Sequence, residues 1–107
     1  MIRGSVWWVE FDPSVGSEIQ KTRPAVIISN DTANKYLARV VVIPLTGNIS
    51  RIYPGEAIVT VNGIKNKAMS DQIMSADKSR FKSKIAELSD ADMSSIETAM
   101  KRFFNLQ

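Results

Sequence analysis

The segment GSEIQKTR, residues 16–23, gathers groups that can do chemistry directly before an apolar strand. Arg23 offers a planar fork of donors that matches a phosphate, and Lys21 adds a compact positive charge nearby. Glu18 can act as a base or read a nucleobase edge. Gly16 makes the loop flexible, whereas RPAVIIS beyond it is rigid and apolar, a junction that holds charged groups steady at a sheet rim. The plain alternative is that Lys21 and Arg23 solvate the strand start and Glu18 pairs with one of them, the default fate of surface charge. PLTG (44–47) is a second candidate: Thr46 ends an apolar run, so its hydroxyl can donate to a phosphate oxygen or simply cap a turn. In SDQI (70–73), Asp71 and Gln72 point to opposite faces if the segment is a strand. Trp7 and Trp8 are adjacent, which sends one to the core and leaves the other for stacking or an interface.

Composition narrows the chemistry. The 107 residues make one domain, with 44% apolar and 23% charged side chains and no sign of global disorder. A net charge of +3 leans mildly toward a polyanionic partner. There is no cysteine, which excludes disulfides, zinc ribbons and thiol nucleophiles. There is no histidine either, so histidine triads, histidine acid–base pairs and histidine-bound metals are excluded. Catalysis is left to Arg, Lys, Asp, Glu, Ser, Thr and Tyr; no metal and no cofactor are expected. MIRGSVWWV is too short and too soon interrupted for a signal peptide, and no apolar run reaches membrane-spanning length. The chain reads as cytoplasmic, with no membrane association.

These groups need elements to position them. SVWWVEF (5–11) reads as a strand, DPSVGSE (12–18) as a loop and RPAVIIS (23–29) as the second strand, where a first-residue proline is tolerated. NDTANKYL (30–37) reads as a short helical turn. ARVVVIPLT (38–46) is a strand buried on both faces, and TGNISRIYPGE (46–56) is a loop with basic and aromatic content from Arg51 and Tyr53. EAIVTV (56–61) is a strand, and Asn62-Gly63 is a hairpin turn signal. KAMSDQIMSA (67–76) reads as one further strand; DKSRFKSKIAEL (77–88) fits either a turn and short strand or a helix start. Ser89 with Asp92 resembles a capping box, and Met93, Ile96, Met100 and Phe103 recur at helical spacing, which predicts a helix over 90–104. The whole is a small, mainly β domain with a closing C-terminal helix, and the strand spacing favours a compact barrel.

WWVEFDPSVGSEIQKTRPAVIISND, then VVVIPLTG, then MSDQI with DKSRF beyond, resembles the MazF/PemK family of toxins from type II toxin–antitoxin systems, in order and spacing over nearly the whole chain. The resemblance implies an SH3-like β-barrel of the MazF/PemK/CcdB type, usually a homodimer. It implies a sequence-specific, metal-independent endoribonuclease that cuts single-stranded RNA, chiefly mRNA, by 2′-hydroxyl attack, and so arrests translation and growth. It implies a cognate antitoxin that binds the dimer, blocks the RNA groove and carries the contact to operator DNA. By position, Arg23 of RPA and Thr46 of PLT match the catalytic pair. Ser17 and Glu18 of GSE and Gln72 of DQI match the RNA groove; Lys21, Asn30 and Asp31 are further groove candidates. Many relatives have Arg after DQI, where this chain has Met74. The competing readings are a non-nuclease toxin or binding module of the same fold, which acts only through its antitoxin or on a protein such as DNA gyrase, and an SH3-like protein-interaction domain.

Overall fold

The structure is a computed structural model that describes residues 1–107. Its elements are β1 (Ser5–Glu10), β2 (Thr22–Ile27), α1 (Asp31–Tyr36), β3 (Arg39–Thr46), β4 (Glu56–Val61), β5 (Ile64–Met69), β6 (Met74–Asp77), β7 (Phe81–Glu87) and α2 (Asp90–Phe103). The strands form one curled antiparallel sheet in the order β4-β5-β3-β2-β1-β7, and β6 adds to β3 beside β5. No ladder joins β4 to β7. The gap is bridged by the Asn62 side chain, which donates to the Ile85 carbonyl at 3.4 Å. Asp92 of α2 accepts the Thr60 N–H at 2.8 Å and so occupies a β4 edge group that would otherwise be free to pair.

Alternation along the strands builds two cores, one on each face of the sheet. Val6, Val26, Ile43 and Leu45 point to the first, which α2 covers with Met93, Ile96 and Ala99. Val9, Ala25, Ile27 and Val42 point to the second, together with Phe11, Ala76 and Phe81. β3 feeds both, which explains its continuous apolar run. Ile96 is fully buried, a contribution of about 2–3 kcal/mol from apolar burial alone. Trp7 packs edge-on to Phe81, with ring centroids 6.0 Å apart, while Trp8 is exposed; the adjacent tryptophans divide as their alternation requires.

The sequence reading of 67–76 as one strand is corrected. A 3₁₀ turn at Ser70–Gln72 separates β5 from β6. The cause is β3, whose C-terminal end pairs with β5 and whose N-terminal end pairs with β6. Thr46 pairs with Lys67; on that register Val42 would meet Asp71, but it meets Met74, so three residues must be taken up between the ladders. Asp71 and Gln72 are therefore not on opposite faces of a strand. Residues 77–88 resolve as a 3₁₀ turn at Lys78–Arg80 followed by β7.

α2 begins as expected: Ser89 Oγ accepts the Asp92 N–H at 3.1 Å. The reciprocal half of the capping box is replaced by the Asp92–Thr60 bond. Phe103 departs from the predicted buried stripe and is 45% exposed, with Ala99 buried instead. No helix is long and apolar enough to cross a membrane.

Candidate functional site

The loop between β1 and β2 is braced by its own side chains. The Phe11 N–H donates to the Lys21 carbonyl at 2.8 Å, closing the neck. Arg80 Nη1 donates to the carbonyls of Glu10 and Asp12 at 3.0 and 2.9 Å. Lys21 adopts a positive φ of 66°, and its N–H donates to Asp12 Oδ1 at 3.0 Å. At the tip, Glu18 Oε1 accepts the Val15 N–H at 2.6 Å around Gly16, which has a φ of 58°. Glu18 thus shapes the turn with one carboxylate oxygen, and the other oxygen has no hydrogen-bond partner.

This loop faces the 3₁₀ turn across a cleft of about 430 Å³, whose lining includes Ser17, Glu18, Ile19, Asp71, Gln72 and Met74. Gln72 Oε1 accepts the Ile19 N–H at 3.3 Å, which leaves the Gln72 amide N–H groups as donors. Ser17, Glu18 and Gln72, expected in one groove, do come together.

Arg23 stands at the root of the loop. It is half-buried and pairs with Val9 across the β1–β2 ladder. Its Nε donates to the Gln20 carbonyl at 3.2 Å, which fixes the plane of the guanidinium. Arg23 belongs to none of the chain's ion pairs, so both Nη groups remain available. The β2–β3 ladder runs Ile27↔Val42, Val26↔Ile43, Ala25↔Pro44. The ladder ends at Ala25↔Pro44; Arg23 and Thr46 each lie two residues beyond that pair, toward the same end of the sheet and, by alternation, on the same face. Thr46 Oγ1 accepts the Asn48 N–H at 3.3 Å, which leaves its hydroxyl hydrogen free to donate. On its other side Thr46 pairs with Lys67. A row Arg23–Thr46–Lys67 therefore crosses three strands at one end of the sheet, on the face of the second core.

Lys67 was not visible as a site residue. Its side chain is 10% exposed and pairs with Glu56 at 3.1 Å; its Nζ also donates to the Arg51 carbonyl at 2.9 Å. The signal lay in the hairpin: a two-residue turn at Asn62-Gly63 sets Ile58 opposite Lys67, with Glu56 on the diagonal of the same face. Because Glu56 neutralises Lys67, Arg23 is the uncompensated cation of the row.

Asn30 and Asp31 lie elsewhere on the chain. Asn30 Oδ1 caps α1 by accepting the Ala33 N–H at 2.8 Å, and Asp31 Oδ1 accepts the Arg3 N–H at 2.7 Å. Both follow the far end of β2, seven and eight residues from Arg23 and thus more than about 20 Å away along an extended chain. They do not join the cleft within one chain. Lys21 is exposed beside it but does not line it.

The sequence and the fold match known proteins over nearly the whole chain. The family model for the PemK-like, MazF-like toxin of type II toxin–antitoxin systems matches residues 2–104. Endoribonuclease MazF9 of Mycobacterium tuberculosis is 36% identical over 115 aligned residues, covering 99% of this chain and 98% of that protein. Endoribonuclease MazF of Staphylococcus saprophyticus is 36% identical, covering 94% and 88%. Among solved structures, a mycobacterial endoribonuclease in complex with its cognate antitoxin superposes with a TM-score of 0.84 at 23% identity, covering 100% of this chain and 97% of that one. MazF from Deinococcus radiodurans superposes with a TM-score of 0.86 at 22% identity, covering 99% and 97%. The curled sheet, its closing helix and the sequence match agree: this chain belongs to the PemK-like, MazF-like toxin family of type II toxin–antitoxin systems.

Proposed function

We propose that this protein is an endoribonuclease toxin that cuts single-stranded RNA, chiefly mRNA, without a metal ion, and is neutralised by a cognate antitoxin. The observation that carries the reading is Arg23: half-buried, held through Nε, unpaired with any carboxylate, and on the same sheet face as Thr46 of the neighbouring strand. An arginine kept free of counter-charge is suited to bind a phosphate.

RNA carries its own nucleophile. In-line attack of a 2′-hydroxyl on the adjacent phosphorus leaves a 2′,3′-cyclic phosphate and a 5′-hydroxyl. The protein must hold the phosphate in line and stabilise charge on the phosphorane-like transition state. The Arg23 Nη groups supply that stabilisation, and the Thr46 hydroxyl donates to a phosphate oxygen. A guanidinium keeps its protons in proteins, so the role of Arg23 is electrostatic. Ser17 and the Gln72 amide bind RNA in the adjoining cleft. Glu18, committed to Val15 through one oxygen, orders the loop and offers its second oxygen to the RNA.

We place the working form as a homodimer, with the antitoxin covering the RNA cleft and making the contact to operator DNA. The test is incubation of the purified protein with a long single-stranded RNA in excess EDTA, with end-group analysis. Discrete fragments ending in 2′,3′-cyclic phosphate, lost in a folded Arg23→Ala variant, are expected. Intact RNA overturns the reading and turns the search to a protein target.

A further inference from the structure

The polar row does not stop at Thr46. Its next member, Lys67, is buried with Glu56. Apolar side chains of similar volume give at least as much stability as a buried ion pair. What this pair adds is directional bonding, and the bonds go to the 47–55 loop. Lys67 Nζ donates to the Arg51 carbonyl at 2.9 Å and lies 5.3 Å from the centroid of the Tyr53 ring. Glu56 Oε1 accepts the Tyr53 N–H at 2.7 Å. The loop is held at two points, beside the strand pair that carries Thr46. Yet Tyr53 remains 52% exposed, and the exposed Arg51 enters none of the ion pairs.

The geometry points to the Lys67–Glu56 pair as a positioning device for RNA. It clamps the 47–55 loop so that the Arg51 side chain and the Tyr53 ring stand ready beside Thr46, a cation for backbone phosphate and an aromatic face for a base. Lys67 touches no substrate; it acts through the loop. The inference rests on the nuclease reading above and adds a second half to the substrate site, on the opposite side of Thr46 from Arg23.

The test uses the double variant Lys67→Met/Glu56→Leu, which replaces both charges with apolar volume and so preserves the packing that a merely structural pair would supply. The probes are an RNA oligonucleotide cut by the wild type and the same oligonucleotide with a 2′-deoxy residue at the cleaved linkage. Expected are an unchanged melting temperature, faster amide exchange at Tyr53, and Kd and KM weakened about tenfold, the scale of one lost stacking contact, with kcat at saturating RNA largely kept. Unchanged Kd and KM overturn the positioning role. If the double variant does not fold, Tyr53→Ala, at an exposed site, carries the same expectation of weakened Kd with kcat kept, and unchanged binding there overturns the role too. Wild-type protein that neither binds nor cuts RNA overturns the nuclease reading itself, whereas active wild type with indifferent variants overturns only the clamp.

Discussion

Gln72 Oε1 accepts the N–H of Ile19 at 3.3 Å, a bond between residues 53 positions apart. It ties the loop that carries Ser17 and Glu18 to the turn between β5 and β6, and the cleft lies between them. Gln72 thus sets the shape of the site with one end of its amide and presents donors with the other. Gln72→Ala should lower kcat/KM about tenfold or more, because small misplacements at a reacting centre are costly. Its effect on stability should be only about 1 kcal/mol. Steady-state cleavage beside chemical denaturation checks both; full activity would show that the tie is dispensable.

Arg23→Ala should reduce cleavage by about 10³-fold and Thr46→Val by about 10²-fold, the range seen when a donor to transition-state charge is removed. Neither should unfold the protein, since both side chains sit at strand ends outside the two cores. Arg23→Lys should not restore full activity, because a point charge cannot replace two Nη donors in a plane. Single-turnover rates on one RNA substrate decide this.

Gly55 has a φ of 89°, and a Cβ there would lie 2.7 Å from Cδ1 and 2.9 Å from Cβ of Phe103. Gly55→Ala should cost about 3 kcal/mol from backbone strain and overpacking together. Adding Phe103→Ala removes the ring but keeps the Cβ at 2.9 Å, so it should recover only the ring's part of the packing share and none of the backbone share. Urea denaturation of the single and double variants reads the ring's part.

Ser70 is 1% exposed, and its hydroxyl has no hydrogen-bond partner. Ser70→Ala should stabilise the fold by about 1 kcal/mol by removing an unsatisfied buried polar group. A lower melting temperature would refute it.

Asp77 is held below its ordinary carboxylate value of 3.8 by hydrogen bonds from Ser79, the side chain first and the backbone N–H second. A depressed pKa means that the charged form is favoured by folding. Its contribution is therefore fully present above about pH 4 and is lost as pH falls through the lower native value. Asp77→Asn should be less stable than wild type at neutral pH, and the difference should close in strong acid. Denaturation midpoints across an acid series follow it.

Much of this was legible in the sequence. Asn62 and Gly63 both take positive φ, 49° and 81°, as the hairpin signal requires. The cap and apolar period of α2 set its start at Asp90 and its end within one residue. The break at Ser70–Gln72 was not legible, because its cause is the pairing partner of β3 and not the turn's own residues. Asn30 and Asp31 show the same limit. Their types suit a groove, but only the fold reveals that they sit at the far end of β2 with capping work to do. Lys67 and Glu56 belong to no motif; the hairpin register and the covering loop bury them together.

The change of register along β3 makes this region a matter of counting. The turn between β5 and β6 spends three residues because the two ladders differ by three. Many side chains can occupy those places, but their number is fixed by the strands on either side. One residue gained or lost there would carry Ala76 out of its core and turn its neighbours inward, and Gln72 would be moved away from Ile19. Variation in this stretch can therefore alter what the cleft contacts without disturbing the curled sheet, provided that it proceeds by exchange of residues and never by insertion or deletion.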